Sequence, residues 1–587
     1  MYDCWPVDFE HFHSNQSMHL FLYKAAMRCG LKAQHYSNMA STHQPLLNTP
    51  NKTISACKIL FFTISISAVV LLVFDLLPII MGDSRLKGLS TPSYLCRTAL
   101  NPQACQDYVS EVVSDGVTPP DATMVLQKFL IKQAHHLNSA IFRAGKLKNK
   151  LNGQNDKQGA IADCVELIDL SINLVSDSIK ALGKKTRTSH ADAQAWLSGV
   201  LANHITCLDG LNSSGRKSLG ATIEDLVSRA RASLAVLAAV SEQDKEMMQS
   251  LRGRLPSWIR PADRKLLQKT ANAIEADLVV AKDGSGDFKT VAEAVAAAPS
   301  NSERRYVIYV KKGTYKENVE VGSRQRNLMI IGDGMNSTII TGDRYNSENF
   351  TTFRTATLAA VGKGFILQDI CIQNTAGPEN GQAVALRIGA DESIINRCYM
   401  DAYQDTLYTH SQRQFYRDCY ITGTVDFIFG FAPAVLQKCE LVARRPRVGQ
   451  SNMVTAQGRS DPNENTGISI QECEIKASDD LEPVKDSFRT YLGRPWRDFS
   501  RTVVMQSCIG DLIDPAGWSE WAGRPVDKLY YGEYRNLGPG SDTSRRVNWT
   551  GYHVITDPAE AEKFTVRELI QGQEWLDSTV VDYIEGL

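Results

Sequence analysis

Two aspartates have unusual surroundings in the stretch AYQDTLYTHSQRQFYRDCYITGTVDFIFG, residues 402–430. Asp426 lies inside the apolar run VDFIFG, where a lone carboxylate is costly to bury. Asp405 precedes it by 21 residues. Two carboxylates that are held close together cannot both ionise easily, so one pKa rises while the other stays low. Such a pair can supply an acid and a nucleophile or base.

Other chemically useful side chains accompany this pair. Gln404 adjoins Asp405, and Gln382 lies 22 residues before Gln404. Neutral amide N–H groups suit an oxyanion that forms at an acyl carbon. The stretch LGRPW offers Arg494, which can hold one aspartate ionised, and Trp496, a flat apolar surface. Aromatic residues that could pack against sugar rings also lie nearby: Tyr403, Tyr408, Phe427 and Phe429.

Short β-strands after about residue 275 must position these side chains. Apolar, β-branched segments recur there, and six of them end in a similar phrase with a cysteine: Cys371, Cys398, Cys419, Cys439, Cys473 and Cys508. Cys398 precedes Cys419 by 21 residues, and Cys439 follows by 20. A repeat of about 20 residues without hairpin signals indicates a solenoid of parallel coils. A β-sandwich is the competing fold.

In a parallel solenoid, residues one period apart lie above one another at about 4.8 Å. Asp405 and Asp426 share the interval of the cysteines, so we expect them on consecutive coils of one face, together with the two glutamines. The same interval predicts a disulfide between Cys419 and Cys439. The sequence therefore predicts a compact site of two carboxylates and two amides.

Residues 90–240 have a helical pattern instead. Four segments carry apolar residues at three-to-four spacing, which predicts an all-α four-helix bundle. Cys96 and Cys105, nine residues apart, predict a local bridge before the first long helix. Cys164 and Cys207 lie on two later helices and could form a second bridge.

Residues 241–273 are charged and contain two prolines, which indicates a linker. Its basic sites, at Arg254 and near Leu267, could be cut by a secretory protease. A solvated linker without processing is the alternative.

An apolar run of 16 residues, 59–74, lies near the N-terminus. It would reach about 24 Å as a helix, and continuation through the next apolar residues would span a bilayer core of about 30 Å. We predict a leader over 1–57 and a signal anchor or transmembrane segment over 58–81, with a cleaved signal or a buried helix as alternatives. Preceding Lys and Arg residues favour a cytosolic N-terminus. Met39 is a second candidate start.

The remainder of the chain would enter the secretory lumen, where cysteines can pair. N-x-S/T sequons predict glycosylation at Asn212, Asn336, Asn349 and Asn548. A formal net charge of −1 does not point to nucleic acid or to an anionic membrane. The sequence lacks the G-x-S-x-G, C-x-x-C and H-E-x-x-H patterns, so we expect neither an ordinary serine esterase nor a metal site, and no cofactor.

Five ordered motifs resemble the plant pectinesterases, or pectin methylesterases: GTYKE (313–317), GQAVAL (381–386), YQDTLY (403–408), GTVDFIFG (423–430) and YLGRPW (491–496). The resemblance covers about 275–587. The preceding bundle, with four cysteines and the CLDG phrase at 207–210, resembles a plant invertase/pectin methylesterase inhibitor domain. Together they imply a right-handed parallel β-helix that hydrolyses the C6 methyl esters of homogalacturonan in the cell wall.

The resemblance also implies roles for single residues. It makes Asp426 the nucleophile, Asp405 the proton donor and later the base, and Gln404 the stabiliser of the transition state. It implies substrate binding by Thr352, Gln382, Arg494 and Trp496. The expected partners are pectin, a subtilisin-type processing protease and pectinesterase inhibitor proteins. We expect the bundle to restrain activity until the linker is cut.

Two rival functions fit parts of the pattern. Retaining glycoside hydrolases also place two carboxylates about 5 Å apart, but paired glutamine amides suit a tetrahedral oxyanion better than an oxocarbenium ion. The other alternative function is an inhibitor or wall-binding protein that binds pectin without hydrolysing it, and such a protein would not need both carboxylates.

Overall fold

The computed structural model describes residues 91–113, 121–151, 155–184, 186, 188–249, 275–579 and 581–587. These residues form a helical part before residue 250 and a β-sheet part after 274. Within them, no helix is long and apolar enough to cross a membrane. The predicted leader and anchor lie outside the described residues, as do the two basic cleavage sites of the linker.

The helical part is the predicted four-helix bundle, formed by the four long helices among the seven that the structure describes there. Its helices are α1 (Pro92–Leu95), α2 (Pro102–Val113), α3 (Ala122–Lys150), α4 (Asn155–Lys184), α5 (Ser189–Gly210), α6 (Ser213–Gly215) and α7 (Ala221–Gln249), with a π-helical turn at Arg216–Gly220. Asp121 begins α3 as its N-cap, because its carboxylate accepts a hydrogen bond from the N–H of Thr123 at 2.9 Å. Helix α7 continues past residue 241, so its last turns occupy the start of the predicted linker.

Both predicted disulfides of the bundle are confirmed. Cys96 bonds to Cys105 beside α1 and α2. Cys164 in α4 bonds to Cys207 in α5, across a sequence separation of 43 residues. The bundle is therefore cross-linked once locally and once between two of its long helices.

Replacing both Cys164 and Cys207 by alanine is expected to lower the free energy of unfolding of the bundle by about 4 kcal/mol, because a long loop is no longer closed in the unfolded chain. The matched pair Cys96→Ala and Cys105→Ala opens a loop of only nine residues and should cost about 2.6 kcal/mol. Denaturant unfolding of the two double variants measures both values. A larger loss from the short loop would contradict the loop-length argument.

The β part is a parallel β-helix of three sheets, which confirms the predicted fold class, a right-handed parallel β-helix. All strand pairs between neighbouring coils are parallel. Sheet 1 contains β1 (Leu278–Val280), β2 (Tyr306–Val310), β5 (Leu328–Gly332), β8 (Ile366–Gln368), β11 (Ser393–Asn396), β14 (Gln414–Arg417), β17 (Pro433–Gln437), β20 (Gly467–Gln471), β23 (Arg501–Met505), β25 (Tyr530–Tyr534) and β26 (Tyr552–Val554).

The other two sheets complete each coil. Sheet 2 contains β4 (Val319–Val321), β7 (Leu358–Ala360), β10 (Leu386–Ile388), β13 (Leu407–Thr409), β16 (Ile428–Gly430), β19 (Asn452–Gln457) and β22 (Thr490–Gly493). Sheet 3 contains β3 (Gly313–Lys316), β6 (Thr338–Gly342), β9 (Cys371–Asn374), β12 (Tyr399–Asp401), β15 (Tyr420–Gly423), β18 (Glu440–Ala443), β21 (Glu474–Ala477) and β24 (Cys508–Ile509). Short helices follow β1 and β26: α8 (Val291–Ala297), α9 (Pro558–Glu562) and α10 (Val566–Ile570).

The recurring cysteine phrase marks the corner between sheet 1 and sheet 3. The residue before the cysteine has a positive φ in four successive coils: Arg397, Asp418, Lys438 and Glu472, all near +50°. A single residue in this left-handed region turns the chain sharply, so the next strand starts in a new sheet. The cysteines that follow point into the core, where Cys398 and Cys419 are buried.

Sheet 2 carries the candidate site on its outer face. In its central strands, one row of side chains packs inside the solenoid: Leu386, Leu407 and Ile428, each fully buried in the core of the β-helix. The adjacent row points outward: Arg387, Tyr408 and Phe429. Tyr408 and Phe429 join the apolar core of the bundle instead. The bundle therefore packs directly on the outer face of sheet 2.

Candidate active site

Asp405 and Asp426 lie on adjacent coils, as the 21-residue interval predicts. Each stands two residues before a strand of sheet 2, and Leu407 pairs with Ile428 in the parallel register. Both aspartates are in the left-handed region, with φ of 65° and 53°. Aspartate tolerates this conformation better than most residues, and here it fills the corner between sheet 3 and sheet 2. The two carboxylates are thereby stacked one strand spacing apart, and each residue is about 5% exposed or less.

Arg494 distinguishes the two carboxylates. Its Nε donates to Asp426 Oδ1 at 2.7 Å, and its Nη2 donates to Oδ2 at 2.6 Å. Burial raises the pKa of Asp426, while the bidentate arginine opposes the rise. Burial and then the neighbouring charge of Asp426 raise the pKa of Asp405 well above its ordinary value. Of the two carboxyl groups, Asp405 therefore holds its proton more strongly, and Arg494 favours the ionised form of Asp426.

Gln382 and Gln404 lie side by side next to the carboxylates. Their main chains form a parallel bridge between adjacent coils. The main-chain N–H of Ala383 donates to the carbonyl of Gln404 at 3.1 Å, and that of Asn346 donates to the carbonyl of Gln382 at 2.9 Å. These bonds fix both backbones, while both side chains are only partly buried. The predicted set of two carboxylates and two amides is thus brought together.

A groove of about 680 Å³ runs over this group, and residues of the bundle such as Thr206 and Asp209 line its other side. Asp405 and Asp426 lie on it, and so do the predicted residues Gln382, Thr352 and Trp496. Thr352 lies in a turn before β7, where its hydroxyl accepts a hydrogen bond from Asn346 Nδ2 at 2.7 Å. Strands β7 and β22 are five strand spacings apart, so the groove follows the solenoid axis for about 24 Å.

The four aromatic residues that were predicted to pack against sugar rings are only partly on the groove. Tyr408 and Phe429 stack with ring centroids 4.2 Å apart on the groove, and Phe429 meets Trp496 edge-on at 5.9 Å. The prediction was wrong for Phe427, which is fully buried inside the solenoid because the corner at Asp426 interrupts the alternation of side chains. Tyr403 is not among the residues that line the groove; its ring lies 3.8 Å from the guanidinium of Arg444, and its hydroxyl accepts a hydrogen bond from that group.

Two groove residues were missed by the sequence reasoning. Trp521 lines the groove, and its ring lies 4.1 Å from the guanidinium carbon of Arg494. Arg497 directly follows the LGRPW motif and also lines the groove. Trp521 follows the last cysteine repeat, so no interval points to it, whereas Arg497 could have been suggested by its position next to Trp496.

The predicted disulfide between Cys419 and Cys439 is not formed. Both are buried free thiols, together with Cys371, Cys398 and Cys473. The sulfur atoms are directed at the main chain: Cys419 Sγ donates to the carbonyl of Ile395 at 3.3 Å, and Cys439 Sγ donates to that of Gln437 at 3.4 Å. The one-coil spacing of the two cysteines was predicted correctly, but the thiols form a ladder inside the core rather than a bond.

All four predicted glycosylation asparagines are exposed: Asn212, Asn336, Asn349 and Asn548. Asn212 also caps α6, because its Oδ1 accepts a hydrogen bond from the N–H of Gly215 at 2.9 Å. Asn349 lies on the rim of the groove.

Comparison with known proteins agrees with this site. Residues 277–573, which contain Asp405, Asp426 and Arg494, match the family model described as Pectinesterase. The chain belongs to the pectinesterase family. Residues 90–241 of this pectinesterase match the family model described as Plant invertase/pectin methylesterase inhibitor. The resemblance stated from the motifs is therefore confirmed, and the protein is a carboxylic ester hydrolase with an inhibitor-like domain.

Several similar pectinesterases span the same two domains. Pectinesterase 2.1 of Solanum lycopersicum is 56% identical over 555 residues, covering 94% of this chain and 100% of its own. Pectinesterase/pectinesterase inhibitor 18 of Arabidopsis thaliana is 48% identical over 559 residues, again 94% of this chain and 100% of its own. The solved pectin methylesterase from carrot is 57% identical, with a TM-score of 0.53, over 54% of this pectinesterase and 99% of the carrot chain.

Proposed function

We propose that this pectinesterase hydrolyses the C6 methyl esters of homogalacturonan with Asp426 as nucleophile and Asp405 as acid and base. The stacked pair of buried aspartates, one of them held by Arg494, carries this proposal. An ionised carboxylate can attack an acyl carbon, while a neighbour that keeps its proton can donate it to the leaving group. The two carboxyl groups need different pKa values for these roles, and the position of Arg494 supplies the difference.

The first half of the reaction forms an acyl-enzyme. A carboxylate oxygen of Asp426 attacks the ester carbonyl carbon, and the carbonyl electron pair moves onto oxygen. The amide N–H groups of Gln404 and Gln382 stabilise this oxyanion. When the intermediate collapses, the bond to the methoxy oxygen breaks, and Asp405 gives that oxygen its proton. Methanol leaves, and the galacturonate acyl group stays on Asp426 as an anhydride.

The second half restores the enzyme. Asp405, now ionised, takes a proton from water as the water oxygen attacks the galacturonate carbonyl carbon. Collapse of this second intermediate breaks the bond to Asp426. Asp426 returns as a carboxylate, Asp405 keeps the proton, and the product is a free galacturonate carboxyl group. Thr352 and Trp496 lie on the groove where they can contact sugar rings on either side of the reacting one.

We further propose that the bundle inhibits the enzyme. Thr206 of α5 reaches the groove floor, where its hydroxyl lies 3.0 Å from His410 Nε2. Other cross-domain hydrogen bonds join Gln194 to the carbonyl of Asn463 at 3.0 Å and the indole N–H of Trp196 to Asp391 at 2.8 Å. Because outward residues of sheet 2 are buried in the bundle core, a polymer cannot lie along that face while the bundle is docked.

We also propose a route of maturation from features of the sequence. A leader over 1–57, an anchor over 58–81 and the four sequons would suit a precursor in the secretory pathway that is delivered to the cell wall. A subtilisin-type protease could separate a bundle domain (90–240) from a catalytic domain (275–587) within the linker (241–273). Separate pectinesterase inhibitor proteins could then bind the exposed groove.

An assay of methanol and new reducing ends on methyl-esterified pectin tests the function. We expect the chain, once cut in the linker, to release methanol without creating reducing ends. New reducing ends would identify a glycoside hydrolase. Binding of pectin without either product would identify a protein that only grips the wall polymer.

Arg494→Gln is expected to move the acidic limb of the activity profile to higher pH. Arg494 opposes the rise in the pKa of Asp426, so its loss lets the nucleophile keep its proton up to a higher pH. Profiles of kcat/KM against pH, from methanol release, measure the shift. Arg489→Gln is the matched control, since Arg489 is largely exposed and lies 3.9 Å from Asp514. An acidic limb that stays in place or moves to lower pH would contradict the assigned role.

A further inference from the structure

Three arginines lie beside the outer face of sheet 2, on both sides of the coils that carry Asp405 and Asp426. Arg354 ends the turn before β7, Arg387 is in β10, and Arg497 follows β22. The strand order of sheet 2 puts β13 and β16, which carry the aspartates, between β10 and β22. A linear polymer that lies along the groove therefore passes cationic groups before and after the reacting residue.

Arg354 is held mainly by carboxylates of the bundle. Its Nε donates to Asp163 and its Nη2 donates to Glu166, both in α4. Within the β-helix its guanidinium reaches only Glu320, at 3.2 Å, whose side chain is 57% exposed. Removal of the bundle would therefore leave most of the donors of Arg354 without an acceptor.

Arg497 shows the same arrangement beyond the catalytic coils. Its Nη2 donates to Asp209, which follows Cys207 in α5. Its Nε is buried without a hydrogen-bond partner among the described residues. The guanidinium lies 5.2 Å from the ring of Trp496, on the groove wall.

Arg387 lies in the outward row of sheet 2, paired in register with Tyr408 of the next coil. Only 2% of the residue is exposed, and its Nε and Nη1 have no hydrogen-bond partner in the described part of the chain. Its guanidinium stacks 3.4 Å from the ring of Phe353. An unpartnered buried guanidinium is costly, so this side chain is poised for an anionic ligand that reaches it when the bundle is absent.

Arg413 is a useful contrast. It also meets the bundle, through Asp192 at 2.8 Å. Its Nε and Nη2, however, already donate to Asp391 of the β-helix at 2.9 and 2.8 Å. Arg413 is therefore satisfied without the bundle and is not available to a ligand.

We propose that Arg354, Arg387 and Arg497 are carboxylate-binding subsites for galacturonate units that have already lost their methyl groups. This inference rests on the proposed function. The bundle carboxylates Asp163, Glu166 and Asp209 then occupy the places of substrate carboxylates, so the inhibitory domain imitates the demethylated polymer. Arginine suits this task because its planar fork binds a carboxylate through two hydrogen bonds, whereas a methyl ester carries no charge.

The test compares two oligomers on one protein. The full chain carries Asp426→Asn, to prevent turnover, and a protease site within 250–274 that is cut before use. Calorimetry gives the Kd of a galacturonate hexamer in its unesterified and its fully methyl-esterified form. Both forms compete with the same bundle, so the ratio of the two Kd values does not depend on how tightly the bundle docks.

We expect Arg354→Gln, Arg387→Gln and Arg497→Gln each to reduce the preference for the unesterified hexamer about tenfold. The control Arg545→Gln removes an exposed arginine outside the groove and should leave the ratio unchanged. If the arginines only dock the bundle, both hexamers will bind more tightly to the variants and the ratio will not change, which overturns the inference. Failure of the wild-type cut chain to release methanol would instead overturn the proposed function.

Discussion

Asp426→Asn lowers the rate of methanol release by a factor on the order of 10⁴ or more, because an amide oxygen is too weak a nucleophile to form the acyl-enzyme. The protein should stay folded with a moderately lower unfolding temperature, because asparagine keeps the shape and one acceptor oxygen for Arg494 but removes the charged partner of that guanidinium. Methanol release from the linker-cut enzyme, together with calorimetric unfolding, measures both quantities. Asp405→Asn should also abolish release, because methanol would leave without its proton donor.

Asp418→Asn is a close control for these substitutions. Asp418 has a positive φ, here 50°, as Asp405 and Asp426 also do, and it lies between them in the sequence. It stands at the corner between sheet 1 and sheet 3, however, and its side chain is about half exposed. The control should keep near-normal activity. If Asp426→Asn kept activity as well, Asp426 could not be the nucleophile.

Asp163→Arg should release the bundle from the groove and activate the uncut enzyme. Asp163 is 3% exposed and binds Arg354 and the hydroxyl of Thr351, so the substitution buries two like charges together. Loss of a buried ion pair costs about 3–5 kcal/mol, which corresponds to docking that is weaker by a factor on the order of 10² to 10⁴. Initial rates of methanol release from the uncut chain, before and after linker cleavage, measure the effect.

Asp169→Arg is the matched control because it makes the same charge change on the exposed side of α4. We expect it to leave the uncut enzyme inhibited and fully responsive to cleavage. An uncut wild-type chain that is already as active as the cut chain would contradict inhibition by the bundle. Equal activation by Asp169→Arg would mean that the substitutions disturb the bundle fold rather than its docking.

The contact between the coils of Asp405 and Asp426 could be predicted because the solenoid period is visible in the chain. Asp405 and Asp426 share the interval that separates Cys398 from Cys419, and a fixed interval in a parallel solenoid means a fixed position on successive coils. The same reasoning predicted that Gln382 and Gln404 are neighbours. The repeat therefore allowed contacts between coils to be predicted from intervals in the sequence.

The residues that lie outside the repeat could not be predicted in this way. Arg494 binds Asp426 across 68 residues, through a connection of irregular length, so its charge and the family resemblance suggested it, but no interval did. The contact of Thr206 with His410 spans 204 residues and two domains. Cys419 and Cys439 show a further limit, because spacing predicts proximity but does not decide whether two thiols are oxidised.

The disulfide between α4 and α5 has a consequence for how the two domains separate. Cys164 follows Asp163, and Cys207 follows Thr206, so the bond joins two of the helix segments that contact the catalytic domain. Neither segment can dissociate from the catalytic domain while the other stays bound to it. The amide hydrogens of both should therefore exchange with solvent as one cooperative unit, and the groove should open in a single step when the bundle leaves.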